Sequence, residues 1–137
     1  MIVVDTNVIA YLFLPGDATE FARQAYLRDP EWCAPILWRS EFRSVLALYI
    51  RNKKLDIETA ITIAREAEQL LVSKEYQIAA ADVFSLISTS PCSAYDCEFV
   101  ALAKQLRTRV VTSDKQILKA FPDVAVSLRE YGISPKA

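Results

Sequence analysis

Short apolar runs that do not alternate with polar residues constrain this chain most tightly. Ile2-Val3-Val4 at the start and the run Arg109–Thr112 (RVVT) far along it are dominated by β-branched apolar residues with no polar face. Strands of that kind are covered on both sides, which is the condition of a parallel sheet wrapped by helices. Trp32-Cys33-Ala34 reads as another short strand, Glu75–Ile78 as a brief one and Val124–Leu128 as the last. The segments between them read as helices. They are Thr6–Phe13, Ala18–Arg28, a long one from Pro35 at its first position to about Lys54, Ile57–Val72, one ending near Thr89, one from Ser93 to Arg107, and Lys115–Ala120. Pro15-Gly16 is a turn, and Asp56 is placed to cap the helix behind it. Strands alternating with helices predict an α/β fold with a mostly parallel central sheet and helices on both faces. The chain's 137 residues suit one domain, 1–137, with a single core.

Composition narrows the chemistry. The chain has no histidine, so Ser-His-Asp and Cys-His devices and every histidine acid–base mechanism are excluded. Its two glycines, Gly16 and Gly132, cannot build a GxGxxG or Walker loop. Three cysteines (Cys33, Cys92, Cys97) form no CxxC pair, and reduced, buried thiols of a cytoplasmic protein are the expectation. No apolar run is long enough to span a membrane, and no basic segment precedes an apolar one as in a secretory signal. Sixteen basic against seventeen acidic residues give no overall basic excess to advertise a nucleic-acid binder.

Chemistry must therefore rest on carboxylates, hydroxyls, thiols, lysine or arginine. In parallel α/β sheets ligands collect at the carboxyl ends of the strands. Asp5 follows the first strand, and Asp114 follows RVVT at the corresponding place. Two more carboxylates fall on apolar faces. Glu41 lies four residues from both Leu37 and Val45, on a stripe continued by Leu48. Asp96 aligns with Phe99, Val100, Ala103 and Leu106, whereas Glu98 turns toward solvent. Each acid has a local explanation: helix capping for Asp5 and Asp114, the helix dipole for Asp96, a salt bridge for Glu41. Convergence on a cation is one explanation for all four. Their hard oxygens suit Mg²⁺ or Mn²⁺, and such an assembly can polarise a phosphodiester without histidine. Asn7 and Thr112, beside the strand-end acids, are candidates to hold a ligand carboxylate or a bound water, with turn and capping bonds as the alternative.

The succession DTN (Asp5 to Asn7), an inward Glu41, AYDCEFVALA with Asp96 and VVTSDKQIL with Asp114 resembles the PIN domain. The length and layout look like VapC-type toxin ribonucleases of bacterial and archaeal toxin–antitoxin pairs. The likeness runs from Ile2 to about Leu128. It implies a three-layer α/β/α sandwich and a Mg²⁺- or Mn²⁺-dependent endoribonuclease that leaves a 5′ phosphate and a 3′ hydroxyl. Asp5, Glu41, Asp96 and Asp114 match the family's four acids, Asn7 its polar position and Thr112 its T-x-D threonine. Thr6 and Ser113, inside the same motifs, would help. A homodimer and a VapB-like antitoxin that covers the site are implied as well.

For RNA contacts the sequence offers Arg39 and Arg43, with Arg51, Lys53 and Lys54 beyond, although a solvated helix face is the alternative. Trp38, Phe42 and Tyr49 on the same helix could stack bases, with an apolar dimer contact as their other use. Two rival functions stand beside the nuclease. A haloacid-dehalogenase-like phosphatase would use Asp5 as nucleophile, but its second aspartate is here Asn7, and Glu41 would have no work. A silent binding module of the same fold would have no need of four intact acids.

Overall fold

The computed structural model describes residues 1–133. The elements are β1 (Ile2–Val4), α1 (Thr6–Phe13), α2 (Thr19–Arg28), β2 (Trp32–Pro35), α3 (Trp38–Arg51), α4 (Ile57–Leu70), β3 (Glu75–Tyr76), α5 (Ala80–Ile87), α6 (Ala94–Gln105), β4 (Val110–Thr112), α7 (Lys115–Ala120), β5 (Ala125–Ser127) and α8 (Leu128–Ile133). The five strands form one all-parallel sheet in the order β3-β2-β1-β4-β5. Helices flank it, giving the α/β sandwich that the alternation of elements predicts. The chain winds outward from β1 to β3 on one side and through β4 and β5 on the other. The crevice between β1 and β4 is therefore the switch point where ligands collect in such sheets.

The apolar runs do what their composition demands: every residue of β1, β2 and β4 is buried. Helix α6 lies against β1, β2 and β4 and is apolar almost all round, with Cys97 and Phe99 to Ala103 inside. Ser93 caps it, its hydroxyl accepting the Asp96 N–H at 3.1 Å. Cys33, Cys92 and Cys97 are buried and free of disulfides. No helix among the described residues is long and apolar enough to cross a membrane.

Some expectations are corrected. Pro35 does not open α3. It ends β2 in register with Tyr76, and the helix starts at Trp38. The core stripe of α3 is Trp38, Phe42 and Leu46, one position round from the expected stripe, and Leu48 is exposed. Trp38 and Phe42 are each 1% exposed and pack ring against ring in the core, so neither can stack a base or meet a second copy. In α4 the inner residues are Ala60, Ala67 and Leu71, while Ile57 and Ile61 remain at the surface. The last strand is followed by a short helix, α8, that packs on α2. With two glycines in the chain, the turns after α3, α4 and α6 place Lys53, Ser73 and Arg107 at positive φ (57°, 64° and 55°). Each costs about 1–2 kcal/mol relative to an ordinary helical residue.

Candidate active site

Four segments deliver carboxylates to one cleft of about 390 Å³. Its lining includes Asp5 at the end of β1, Glu41 in the first turn of α3, Asp96 in the first turn of α6 and Asp114 just past β4, together with Thr6, Asn7, Ser44 and Val45. The stripe correction explains how Glu41 gets there. One residue round from the buried Trp38–Phe42 row, it is half-buried at the border of the core, and it meets the start of α1.

Asp5 is the most enclosed of the four, at 8% exposure. Its Oδ1 accepts the Thr6 N–H at 2.8 Å and caps α1, while its Oδ2 accepts the Thr112 hydroxyl at 2.7 Å. Thr112, fully buried behind it, takes the Asp114 N–H at 3.0 Å on the same oxygen. Thr6 donates its hydroxyl to Glu41 Oε1 at 2.7 Å. Asp114 Oδ1 accepts the N–H groups of Gln116 and Ile117 at 2.8 and 3.0 Å. The two threonines thus tie three of the acids into one network, with Thr112 linking Asp5 to Asp114 and Thr6 linking Asp5 to Glu41. The capping role foreseen for Asp5 and Asp114 is present, and it does not compete with the cleft. The caps take one lone pair of Asp5 Oδ1 and both of Asp114 Oδ1, which leaves Asp114 Oδ2 for the cleft.

Electrostatics ties in the fourth acid. Burial pushes the Asp5 carboxyl up to about 6, and the negative charges of Asp96 and Glu41 add to it, against the lowering effect of its hydrogen bonds. Glu41 is raised by burial first, with repulsion from Asp96 and Glu98 behind it. Asp96 is raised by burial and then by Asp114. Desolvation and like-charge crowding both favour the proton in the ion-free protein. Among the described residues no group of three or more carboxylate or thiol side chains is gathered tightly enough to hold an ion as it stands. An all-oxygen donor set fits a hard divalent cation, and the opposed charges are what such a cation neutralises.

The other candidates fall differently. Asn7 lines the cleft, whereas Ser113 is exposed and does not. Arg39 is committed elsewhere: its guanidinium binds Glu75 at 2.6 and 2.7 Å and Glu68 at 2.9 Å. Arg43 faces a groove between α3 and α4, beside Leu46, Ile57 and Ile61. Two residues lacked a sequence signal, one in the lining and one beside it. Ser44 sits one turn beyond Glu41, a spacing that shows only once the Glu41 face is known to border the cleft. Glu98, expected in solvent, is half-buried and pushed up by that burial, close enough to Glu41 to act on its charge.

The sequence profile of the PIN domain matches residues 2–124. The chain is 27% identical over 124 residues to Ribonuclease VapC3 of Pyrobaculum aerophilum, an alignment covering 88% of this chain and 95% of that protein.

Proposed function

The chain belongs to the PIN domain family, and from that premise we propose that its acid cleft is the divalent-metal centre of an endoribonuclease. One observation carries the reading: carboxylates from four segments meet in a single cleft where three of them are raised by burial and by each other. Asp5, Glu41, Asp96 and Asp114 hold the metal, Mg²⁺ or Mn²⁺. When bound there, it supplies Lewis-acid polarisation of a phosphoryl oxygen and a more acidic water. The rest is the work of the chain. Thr112 and Thr6 fix one oxygen each of Asp5 and Glu41, so the remaining lone pairs face the cleft. Asn7 and Ser44 offer polar groups along the wall where a phosphate or an attacking water sits. In the overall reaction a water oxygen bonds to phosphorus and the bond to O3′ breaks. The water's proton balances the leaving oxygen, giving a 5′ phosphate and a 3′ hydroxyl.

The relative's name, Ribonuclease VapC3, and the span of the match support RNA as substrate and the toxin half of a toxin–antitoxin pair as the setting. On the same reading the protein acts in the cytoplasm as a homodimer, covered by a VapB-like antitoxin until it is released.

Purified protein incubated with total RNA is expected to cut in Mn²⁺ or Mg²⁺ and to be silent in chelator. Equal cleavage with and without chelator would sink the metal reading. Thr112→Val tests the network behind the acids. It leaves the Thr112 position filled but removes the bond to Asp5 and the acceptor for the Asp114 N–H. We expect activity to drop about 10–100-fold, the usual cost of losing a partner that orients a ligand. The Asp5 carboxyl should also titrate higher, because a hydrogen bond that lowers its pKa is gone. Unchanged activity would mean that Thr112 serves packing alone.

A further inference from the structure

The cleft does not end at the acids. Helices α1 and α3 lie side by side, and two facing rows, Asn7-Ala10-Tyr11-Leu14 and Glu41-Val45-Tyr49, recur at three- and four-residue spacing. They form the walls of one furrow. Asn7 and Val45 line both the acid cleft and a second cavity of about 290 Å³, so the two compartments join at that pair. Beyond them the character changes. The second compartment is walled mainly by apolar groups, with the Tyr11 and Tyr49 rings among them and Asp17 at its rim. Lys54 stands over one of these rings, its Nζ 5.8 Å from the Tyr49 centroid.

We propose that this compartment is a nucleobase subsite, which takes one unpaired base of the RNA while the adjoining phosphate lies over the acids. The inference rests on the ribonuclease reading and adds where the base beside the cut is held. Four arguments support it. Aromatic rings on an apolar wall are the usual platform for a base without sequence preference. The volume lies just below the ~300–1,000 Å³ range of small-ligand pockets, which leaves room for a planar ring system. Tyr11 is one helical turn beyond Asn7, about 6 Å along the axis, a step that a single nucleotide spans. Asp17 can accept from an exocyclic amine of the base, and Lys54 provides a cation for the next phosphate. Arg39 being locked to Glu75, this is also where the missing nucleic-acid contact is supplied.

The test reads base binding apart from cleavage. Short single-stranded RNA carrying 2-aminopurine is titrated into the Asp5→Asn protein in Mg²⁺, and stacking on a tyrosine is expected to quench its fluorescence. Tyr11→Leu or Tyr49→Leu, which keep apolar bulk without a ring, should weaken binding by about 5- to 150-fold, the range for one stacked base. Tyr→Phe at either position should restore it. With Asp5 intact, the same Leu variants should raise KM and leave kcat nearly unchanged, and the RNA annealed to its complement should compete poorly. Leu variants that quench, bind and cut as the parent does would overturn the subsite, as would equal competition by duplex. Should leucine unfold the protein, photo-crosslinking of 4-thiouridine RNA to the unmutated chain decides. Adducts on α1 or α3 within the furrow support the subsite, and adducts confined to other elements refute it. Cleavage that persists in chelator or survives Asp5→Asn fails the metal reading instead, and crosslinking to the unmutated chain still judges the subsite.

Discussion

Asp5→Asn is expected to give a protein that no longer cuts RNA and yet melts at a higher temperature than its parent. On the proposed reading, the loss of activity follows from removing one of four metal ligands. It should exceed the ~10–100-fold that an orienting partner is worth. The gain in stability follows from the sign of the pKa shift. In the folded protein Asp5 titrates near 6, against an ordinary value of 3.8, because burial and neighbouring acids disfavour its charge. Between those values the native state holds a proton that the unfolded chain has released. Stability therefore falls as pH rises through about 4 to 6 and stays reduced above it. Two pKa units correspond to about 3 kcal/mol. Asparagine keeps the cap to Thr6 and removes the charge, so at neutral pH the variant should melt roughly 5–10 °C higher. The raised Glu41 and Asp96 act in the same direction, and the variant removes the charge on which both of them press. Saturating Mn²⁺ should reverse the order by stabilising the parent and hardly affecting the variant. Melting curves of both proteins from pH 4 to 8, with and without Mn²⁺, check this. If the two curves run parallel in pH without metal, the charge of Asp5 is not the strained element described above.

The largest effect outside the cleft is expected from Glu75→Ala. Glu75 lies in β3, a two-residue edge strand, where its carboxylate gathers the Trp38 indole N–H at 2.7 Å and two Arg39 nitrogens at 2.6 and 2.7 Å. Arg39 reaches on to Glu68 of α4 at 2.9 Å. The Glu75 side chain is 13% exposed, so its removal leaves a buried indole N–H without a partner and a guanidinium with one of its three hydrogen bonds. Breaking a buried pair costs about 3–5 kcal/mol, but Arg39 is 35% exposed and water recovers part of that. A loss of about 2–4 kcal/mol is expected, read as a lower urea midpoint, with metal-dependent cleavage retained because the cluster does not line the acid cleft. Glu75→Gln, which can still accept from Trp38, should fall between. A loss below about 1 kcal/mol would make the cluster an ordinary surface pair. The pH sign is opposite to that of Asp5. Arg39 holds the Glu75 carboxyl below its usual range, so its contribution is full above about 4.5 and fades in acid.

These two clusters show why some features were legible in the sequence and others were not. The strands announced themselves because Ile2–Val4 and Val110–Thr112 lack a polar face, and only a covered parallel sheet accommodates that. The four acids stood out because carboxylates on apolar faces or at strand ends are costly without a shared reason. The exact face of α3 was not legible: Leu37-Val45 and Trp38-Phe42-Leu46 are adjacent stripes of similar apolarity, and only the packing against neighbouring elements selects the aromatic one. Arg39 looked available for phosphate because its partners, Glu68 and Glu75, lie 29 and 36 residues away. Pro35 could open a helix or close a strand, and its register with Tyr76 decides. The Tyr11–Tyr49 furrow depends on how α1 seats on α3, which no local pattern encodes.

The order of the strands has a consequence in time. Asp5 is made well before its side-chain partner Thr112, which follows 107 residues later. At about 5–20 residues per second, synthesis needs several seconds to join them. Until β4 emerges, β1 lacks the neighbour that completes the crevice, and the fourth acid does not yet exist. A growing chain of this kind passes that interval beside RNA, on the ribosome, with no assembled cleft. The four acids can come together only after Asp114 has been made.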